Sequence, residues 1–264
     1  MKKGIPINVK KKVGIIMGDN TGDKLFEKKY TCPICDHNFT AKTVRTGKAR
    51  MIRTDMDLRN VYEDIEPLKY DIILCQKCGY AALARFFPNV TSTQQMYISQ
   101  KITPNFKPLQ EDGDDYTYDQ ALARYNVAFA NSVVKMAKVS EGAYLSLKIA
   151  WLYRSYKESL DKEMTGYQEK YDRLNTLERE HLRKAYDYFV KAVQSEDFPM
   201  CGMDEATVDY ILAVLAMEFG DYFDSSKLLS KLITSFSAGQ RIKDKARDAK
   251  EELSKRMKEA GVEA

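Results

Sequence analysis

The spacing of apolar residues along the chain changes near residue 115. Upstream of it, short runs such as YDIILC (70–75) are rich in Ile and Leu and predict strands. The run FTAKTVRTGKARMIRTD (39–55) predicts two further short strands that form a hairpin around Gly47. Downstream, apolar residues recur with a period of about 3.6, which predicts helices. The expected fold class is α+β, with a small β-rich lobe followed by a helical array.

Six amphipathic stretches follow one another after Asp115. Each carries one apolar face, so the six predicted helices can pair into three hairpins. The last stretch is highly charged and has only a thin apolar stripe, which is typical of a helix that caps a helical array. The predicted apolar positions are Leu122, Tyr125, Phe129, Val133 and Met136; Tyr144, Leu147, Trp151 and Leu152; Ala185, Phe189, Ala192 and Val193; Val208, Ile211, Leu212, Leu215 and Phe219; Leu228, Leu229, Leu232 and Ile233; and Ile242, Ala246, Ala249, Leu253 and Met257.

These patterns predict three parts. Residues 1–29 form a basic N-terminal arm, residues 30–110 a zinc-ribbon-like domain, and residues 117–260 the helical domain. The predicted linker, residues 107–116, contains a proline and an acidic run. No apolar run reaches the roughly 20 residues that span a bilayer. The apolar stretch at residues 13–17 is too short for a secretory signal, so a cytoplasmic location without a membrane partner is expected.

Four of the five cysteines occur in two Cys-x-x-Cys pairs, Cys32 with Cys35 and Cys75 with Cys78. Two intervening residues allow a tight turn to direct both sulfurs at one ion, and two such pairs are the sequence form of a four-thiolate zinc site. The sequence therefore predicts one structural Zn²⁺. Four sulfurs close the coordination sphere and leave no open position for catalysis.

Two other interpretations of the cysteines remain open. A rubredoxin-like iron site uses the same ligand set. A redox pair needs one Cys-x-x-Cys at a helix N-terminus in a βαβ context, whereas this chain has two pairs and no such context. Because the lobe has few large apolar side chains, we expect metal binding to contribute much of its stability.

Part of the helical region resembles a tetratricopeptide (TPR) repeat. In FGDYFDSSKLLSKLI (219–233), Gly220 to Tyr222 match the turn between the repeat's two helices, Ser225 the small position, and Leu229 and Leu232 the large and small positions of the second helix. AYDYFVKAVQSEDFP (185–199) resembles the second helix of an earlier repeat. Its expected first helix, LKIAWLYRSYKE, is separated from it by a charged insertion at residues 159–181.

The whole pattern resembles an uncharacterised bacterial family, a domain of unknown function that joins a zinc ribbon to TPR-like helices. The similarity runs from Tyr30 to the C-terminal helix. The motifs that carry it are CPIC, RTDMDLRNVYEDIEPLKYDIILCQKCGYAA, LKIAWLYRSY, FGDYFDSSKLLSKLI and IKDKARDAKEEL. The resemblance implies an architecture and brings no known reaction.

Charge is distributed unevenly along the chain. Residues 1–110 hold 19 Lys and Arg against 10 Asp and Glu, whereas residues 111–264 hold 23 against 28. A basic N-terminal region favours a nucleic-acid partner, although solvated faces explain a modest imbalance equally well. The candidate nucleic-acid contacts around the predicted hairpin are Lys42, Arg45, Lys48, Arg50 and Arg53, and Lys10, Lys11 and Lys12 add charge in the arm.

A second candidate site is the polar cluster of Asp55, Asp57, Arg59 and Tyr62 in RTDMDLRNVY. Two carboxylates one residue apart on a strand point to the same side and can bind a cation or a basic partner. The alternative is a strand end held in place by ion pairs, which are common and individually weak.

The sequence contains no glycine-rich phosphate loop and no nucleophile elbow, and neither of its two histidines has an obvious Ser or Cys partner for a hydrolytic triad. We therefore expect a non-enzymatic zinc-binding adaptor whose helical lobe binds a protein or peptide. Nucleic-acid binding by the basic lobe is the alternative, and an enzyme with an unrecognised site is the second alternative. The oligomeric state is left open by the sequence.

Overall fold

The computed structural model describes residues 23–111 and 113–262. The N-terminal region of this part consists of three two-stranded antiparallel sheets. The predicted arm lies mostly outside the described residues, including Lys10, Lys11 and Lys12. Its last part joins the first strand. The strands are β1 (Leu25–Thr31), β2 (Asn38–Val44), β3 (Met51–Thr54), β4 (Asn60–Tyr62), β5 (Ile72–Leu74) and β6 (Ala81–Leu83).

The strands pair differently from the sequence-based expectation. Both strands predicted within residues 39–55 exist as β2 and β3, but the expected hairpin between them is wrong. Strand β2 pairs with β1, and β3 pairs with β4. The physical reason is that each Cys-x-x-Cys turn closes a hairpin of its own, β1–β2 or β5–β6. Strand β2 is therefore already paired with the strand before it, and β3 pairs with β4 instead.

Seven α-helices follow in the described residues, and the α+β class is confirmed. The helices are α1 (Ser92–Lys101), α2 (Tyr118–Val134), α3 (Val139–Glu158), α4 (Tyr167–Ser195), α5 (Glu205–Glu218), α6 (Tyr222–Thr234) and α7 (Gln240–Glu259). Helix α1 was not predicted, because it buries only Ile98 and therefore has almost no apolar periodicity. Its one local signal is the capping box formed by Thr91 and Gln94.

Helix α4 corrects the expectation of a charged insertion at residues 159–181. Most of that segment is the first half of a single helix of 29 residues, which packs along α3. The helix is polar overall but buries one narrow stripe, which a count of charged residues hides. The stripe consists of Leu174, Glu178, Leu182, Ala185, Phe189 and Ala192.

Helices α5 and α6 pack together across a tight turn in which Gly220 adopts a φ of 81°. Ser225, Leu229 and Leu232 are the buried residues of α6, at the positions that the TPR resemblance indicated. Helix α7 buries only Ala246, Ala249 and Leu253, which is the thin stripe expected of a terminal helix.

The N-terminal region and the helices share apolar packing. Strands β5 and β6 contribute to the largest buried cluster of the molecule through Ile72, Leu74, Ala81 and Leu83. Helix α2 lies against this sheet, where its Asn131 side chain donates to the carbonyl of Gly79 at 2.9 Å. No helix in the described part of the chain is both long and apolar enough to cross a bilayer.

Candidate metal centre

The first Cys-x-x-Cys pair lies in the turn between β1 and β2. The backbone N–H of Cys32 donates to the carbonyl of His37 at 2.9 Å, and Asp36 N–H donates back to the Cys32 carbonyl at 3.0 Å. Asp36 takes a left-handed φ of 53°, which Asp tolerates better than most residues. The N–H of Ile34 points at the Cys32 sulfur, 3.4 Å away. This turn therefore directs Cys32 and Cys35 inward and supplies a donor to a thiolate.

The second pair repeats the same geometry between β5 and β6. Cys75 N–H donates to the Tyr80 carbonyl at 2.8 Å, and Gly79 N–H donates to the Cys75 carbonyl at 2.9 Å. Gly79 stands where Asp36 stands in the first turn and has a φ of 77°. A Cβ at this position would overlap the ring of Phe106. Glycine is needed here both for the backbone conformation and for the space.

The two turns bring four sulfur atoms together. Sγ of Cys32 lies 3.5 Å from that of Cys78, and Sγ of Cys35 lies 3.7 Å from that of Cys75. All four lie within 4.8 Å of one another. Tetrahedral zinc with Zn–S bonds of about 2.3 Å needs sulfurs about 3.8 Å apart. The spacing and the donor set thus fit one tetrahedral metal ion.

Burial and contacts between the sulfurs govern the protonation of this cluster. Cys32, Cys75 and Cys78 are almost completely buried, and Cys35 is half-buried. A hydrogen bond from Cys32 lowers the pKa of the Cys75 thiol to about 2, whereas the thiol contact with Cys32 raises the pKa of Cys78. One thiolate is therefore stabilised by its protonated neighbours. A divalent cation would replace those protons and allow all four sulfurs to bind as thiolates.

The five basic candidates do not form a free patch. Lys48 is exposed, and its side chain makes no ion pair with a described residue. The other four side chains are directed to acceptors of this chain. Arg50 and Arg53 pair with carboxylates, which offset their charge, whereas Lys42 and Arg45 donate to backbone carbonyls. The partners are Gly113 O for Lys42 at 2.6 Å, Leu25 O for Arg45 at 3.1 Å, the Glu63 carboxylate for Arg50, and the Asp55 carboxylate for Arg53 at 2.5 Å.

The polar cluster lies at the tip of the β3–β4 hairpin, residues 55–59, which inserts against the helices. Asp57 is 4% exposed and accepts a hydrogen bond from Trp151 Nε1 at 3.0 Å. Arg59 is 1% exposed and pairs with Asp55 at 2.7 Å. Tyr62 lies outside these pairs and lines two neighbouring clefts. The carboxylates are thus occupied by this chain's own cations.

The tip continues into a network of ion pairs with α3 and α4, which we call the interlobe ion network. It contains four carboxylates and four cations, so its formal charge is balanced. Burial raises the pKa of the Asp55 carboxyl. The hydrogen bond and the positive charge of Arg59 lower it by more, so the pKa of Asp55 lies below its usual range. The members are Asp55, Asp57, Glu158, Glu178, Arg53, Arg59, Arg154 and Lys157.

Sequence reasoning missed the helical half of this network, namely Arg154, Glu178 and Trp151. No local signal could reveal it, because Trp151 and Arg154 lie 94 and 99 residues from Asp57 and Asp55, their partners in the tip. The tip also borders a cleft of about 280 Å³ between α4, α5 and α7, which we call the helical groove. Its apolar wall consists of Met56, Leu182, Val214, Leu215 and Met217.

Comparison with known proteins agrees with this architecture. A family profile described as "Uncharacterized protein conserved in bacteria (DUF2225)" matches residues 25–253. An uncharacterized protein of Borreliella burgdorferi is 24% identical over 179 residues, which cover 62% of this chain and 58% of that protein. The match thus spans less than two thirds of that relative. No solved structure gives a significant match. Since the profile covers both the four-cysteine cluster and the helices, the chain belongs to the uncharacterised bacterial family DUF2225.

Proposed function

We propose that Cys32, Cys35, Cys75 and Cys78 bind one structural Zn²⁺, and that the protein is a non-enzymatic adaptor whose helical lobe binds a protein or peptide. The spacing of the four sulfurs, all within 4.8 Å, supports the zinc site. Sulfur contacts of 3.5 and 3.7 Å, Cys32 with Cys78 and Cys35 with Cys75, join the two motifs. That arrangement favours a shared ion over a redox pair, which would bring together the two cysteines of one Cys-x-x-Cys.

A reduced compartment such as the cytoplasm belongs to this proposal, because thiols stay available for metal there. Inductively coupled plasma mass spectrometry of protein purified without added metal distinguishes zinc from iron. We expect one equivalent of zinc per chain. Iron in its place would support the rubredoxin-like alternative, and the absence of any metal would reject both.

The helical groove is the observation that supports an adaptor role. It has the apolar wall described above and a rim on which Arg179 and Arg256 share the Glu218 carboxylate, at 2.9 and 3.0 Å. An apolar cleft with a few fixed polar groups suits a peptide side chain flanked by hydrogen-bonding groups. Because each rim cation is already paired, the groove favours a peptide with both apolar and polar side chains over a strongly charged one.

The clefts offer little support for an enzyme. The carboxylates bordering the helical groove, Asp57, Glu178 and Glu218, all form ion pairs with arginines. The oxygens of a carboxylate held in this way are engaged by the chain's own cations rather than free to contact a substrate. The groove thus has the character of a binding surface.

Affinity purification from native lysate, with and without nuclease, tests the adaptor role. The groove variant is Arg179→Glu, at a side chain 52% exposed. The matched control is Arg247→Glu, 50% exposed, which lies nine residues before Arg256 and so on the opposite side of α7. We expect a protein that survives nuclease, is retained by the control and is lost from the groove variant. Equal retention by both variants would reject the groove as the binding site.

A further inference from the structure

The β1–β2 hairpin carries a row of aromatic rings that the linear sequence does not show. Tyr30 and Phe39 are directly opposite each other on the paired strands, with ring centroids 5.9 Å apart and an angle of 26° between the rings. His37, at the exposed end of the turn, lies 6.2 Å from Phe39 at an angle of only 7°. Three nearly parallel rings thus follow one another along one face.

This row rests on a rigid base. Phe87 is 1% exposed and meets Tyr30 and Phe39 edge-on, at 5.9 and 6.0 Å. Phe87 belongs to the same buried cluster as Cys32, Cys75 and Cys78. The rings therefore pack against the same buried cluster as the cysteines, and this fixed position lowers the entropy cost of binding a planar group.

A shallow cleft of about 470 Å³ runs along the same hairpin. It has polar side chains that can donate or accept hydrogen bonds beside the ring-bearing positions. The lining residues are Lys29, Tyr30, Thr31, Asn38, Phe39 and Thr40.

The hairpin is also positively charged. Residues 24–49 contain six Lys and Arg against two Asp and Glu. Lys28 Nζ lies 5.4 Å from the centre of the Tyr30 ring, next to the row. Glu27, one of the two carboxylates, accepts a hydrogen bond from Thr40. Lys28 therefore lies beside the rings without a carboxylate partner among the described residues, whereas Arg50 and Arg53 are paired with carboxylates.

We propose that this part of the hairpin, with Tyr30, His37, Phe39 and Lys28 on one face and Lys29 along the adjoining cleft, binds single-stranded nucleic acid. Unpaired bases would stack on the rings, and the lysines would contact the phosphates. Aromatic rings beside a line of cations are the arrangement used to bind single strands with little sequence preference. A duplex is a poorer ligand, because its bases are already stacked. This function is independent of the helical groove, which would leave the groove free for a protein at the same time.

Fluorescence anisotropy of the purified full-length protein tests the proposal. The probes are labelled oligo(dT) and oligo(rU) of about 15 nucleotides and a duplex of equal length. We expect both single strands to bind more tightly than the duplex, and affinity to fall as salt rises from about 50 to 200 mM. A preference for one single strand identifies DNA or RNA as the ligand. Failure of both to bind overturns the proposal, as does tighter binding of the duplex.

Variants at exposed positions localise the site without disturbing the core. Lys28→Ala/Lys29→Ala should weaken binding about tenfold and make the salt dependence shallower. His37→Ala should weaken it about fivefold or more through the lost stacking face. Lys48→Ala/Arg50→Ala removes the same formal charge from the same lobe and should leave affinity within about twofold. Equal losses in the two double variants would show a diffuse charge effect and contradict the site.

Metal content provides the control for folding, since each variant should retain one zinc per chain. The groove variant Arg179→Glu should bind the oligonucleotides like the wild type, so failure of the adaptor role and failure of this proposal are distinguishable. If the oligonucleotides do not bind, but a protein partner is lost from Lys28→Ala/Lys29→Ala, the face belongs to a protein interface and the proposal is wrong.

Discussion

The two lobes reach stability in different ways. The buried cluster around the metal centre has nine members, and three of them are the cysteines Cys32, Cys75 and Cys78. The helical lobe instead has a continuous apolar core that includes Ala121, Leu182 and Leu215. Short hairpins have too little apolar area to hold themselves together, whereas long packed helices do not need a metal. Under the proposed zinc site, the ion would take the place of a larger apolar core where the chain forms only short strands.

The junction between the lobes combines apolar packing with ion pairs. Strands β5 and β6 enter the helical core through Ile72 and Leu83, and the β3–β4 tip enters the interlobe ion network through Asp57 and Arg59. Buried ion pairs contribute little net stability, but they demand one geometry. The network thus fixes where the tip docks, and the apolar packing provides most of the adhesion.

Removing a ligand of the metal centre should have the largest effect. Cys75→Ser leaves three thiolates around a buried ion, so zinc should be lost and the free energy of unfolding should fall by about 5 kcal/mol or more. We expect the near-UV circular dichroism of the N-terminal lobe to collapse while most of the far-UV helical signal persists. Zinc release to a chromogenic chelator and denaturant unfolding measure the two effects.

The fifth cysteine provides the matched control for this experiment. Cys201 is half-buried, and its thiol donates to the Ser140 carbonyl at 3.4 Å. Cys201→Ser should change unfolding by less than about 1 kcal/mol and leave zinc content unchanged. Full zinc content in Cys75→Ser would contradict the metal centre. Loss of the helical signal together with the N-terminal signal would show that the lobes unfold as one unit.

The second effect tests the junction. Arg59→Met removes a cation that is 1% exposed and the buried partner of both Asp55 and Glu158, so the free energy of unfolding should fall by about 3–5 kcal/mol. Arg53→Met removes a half-exposed member of the same network and should cost less than about 1 kcal/mol. Denaturant midpoints of the two variants compare them directly. Similar losses would show that burial does not govern the network.

The metal site was predictable because its information is local. Cys-x-x-Cys spacing sets a turn, and the turn aims two sulfurs, whatever the rest of the chain does. The same holds for the helices with a wide apolar face, such as α5, whose Val208, Ile211 and Leu215 mark it clearly. Helix α1 lacks such a face, and the apolar stripe in the first half of α4 is hidden among charges, so α1 and that half of α4 were missed.

The remaining features depend on contacts between distant parts of the chain. The partner of Asp57 is Trp151, 94 residues away, and nothing near either residue indicates the other. Tyr30 and Phe39 are closer in sequence, but they form a ring row only because β1 pairs with β2 in one register. An incorrect hairpin pairing therefore concealed that face, although every residue of it was visible in the sequence.

A smaller effect is expected from glycine substitutions, which distinguish the cost of a left-handed backbone from the cost of close packing near the cysteines. Gly79 and Gly47 have almost the same φ, 77° and 78°, but a Cβ at Gly79 overlaps Phe106, whereas one at Gly47 meets nothing within 4 Å. Gly47→Ala should cost about 1 kcal/mol for the left-handed backbone alone. Gly79→Ala should cost about 2–3 kcal/mol, because the turn or the ring must shift. Equal costs in thermal unfolding would mean that Phe106 moves aside freely.

The smallest expected effect is a pH dependence of stability that arises from a histidine in the helical lobe. His181 in α4 packs near Tyr153, and its Nδ1 is buried without a hydrogen-bond partner in the described residues. Burial lowers the pKa of His181 to about 4 from an ordinary value of 6.5. Below pH 6.5 the unfolded chain binds a proton that the folded chain does not, so stability falls as the pH drops toward 4.

Because the ring is only partly buried, this loss should be about 1–2 kcal/mol between those two pH values. His181→Phe keeps the contact with Tyr153, removes the titrating group and should flatten this part of the pH profile. Denaturant unfolding of both proteins across this range measures the difference, preferably in zinc-saturated samples so that the metal centre contributes equally. If the wild type became more stable on acidification, the histidine would be gaining a partner on folding. His181 would then be protonated and hydrogen-bonded in the folded protein, whereas the structure places it against the Tyr153 ring.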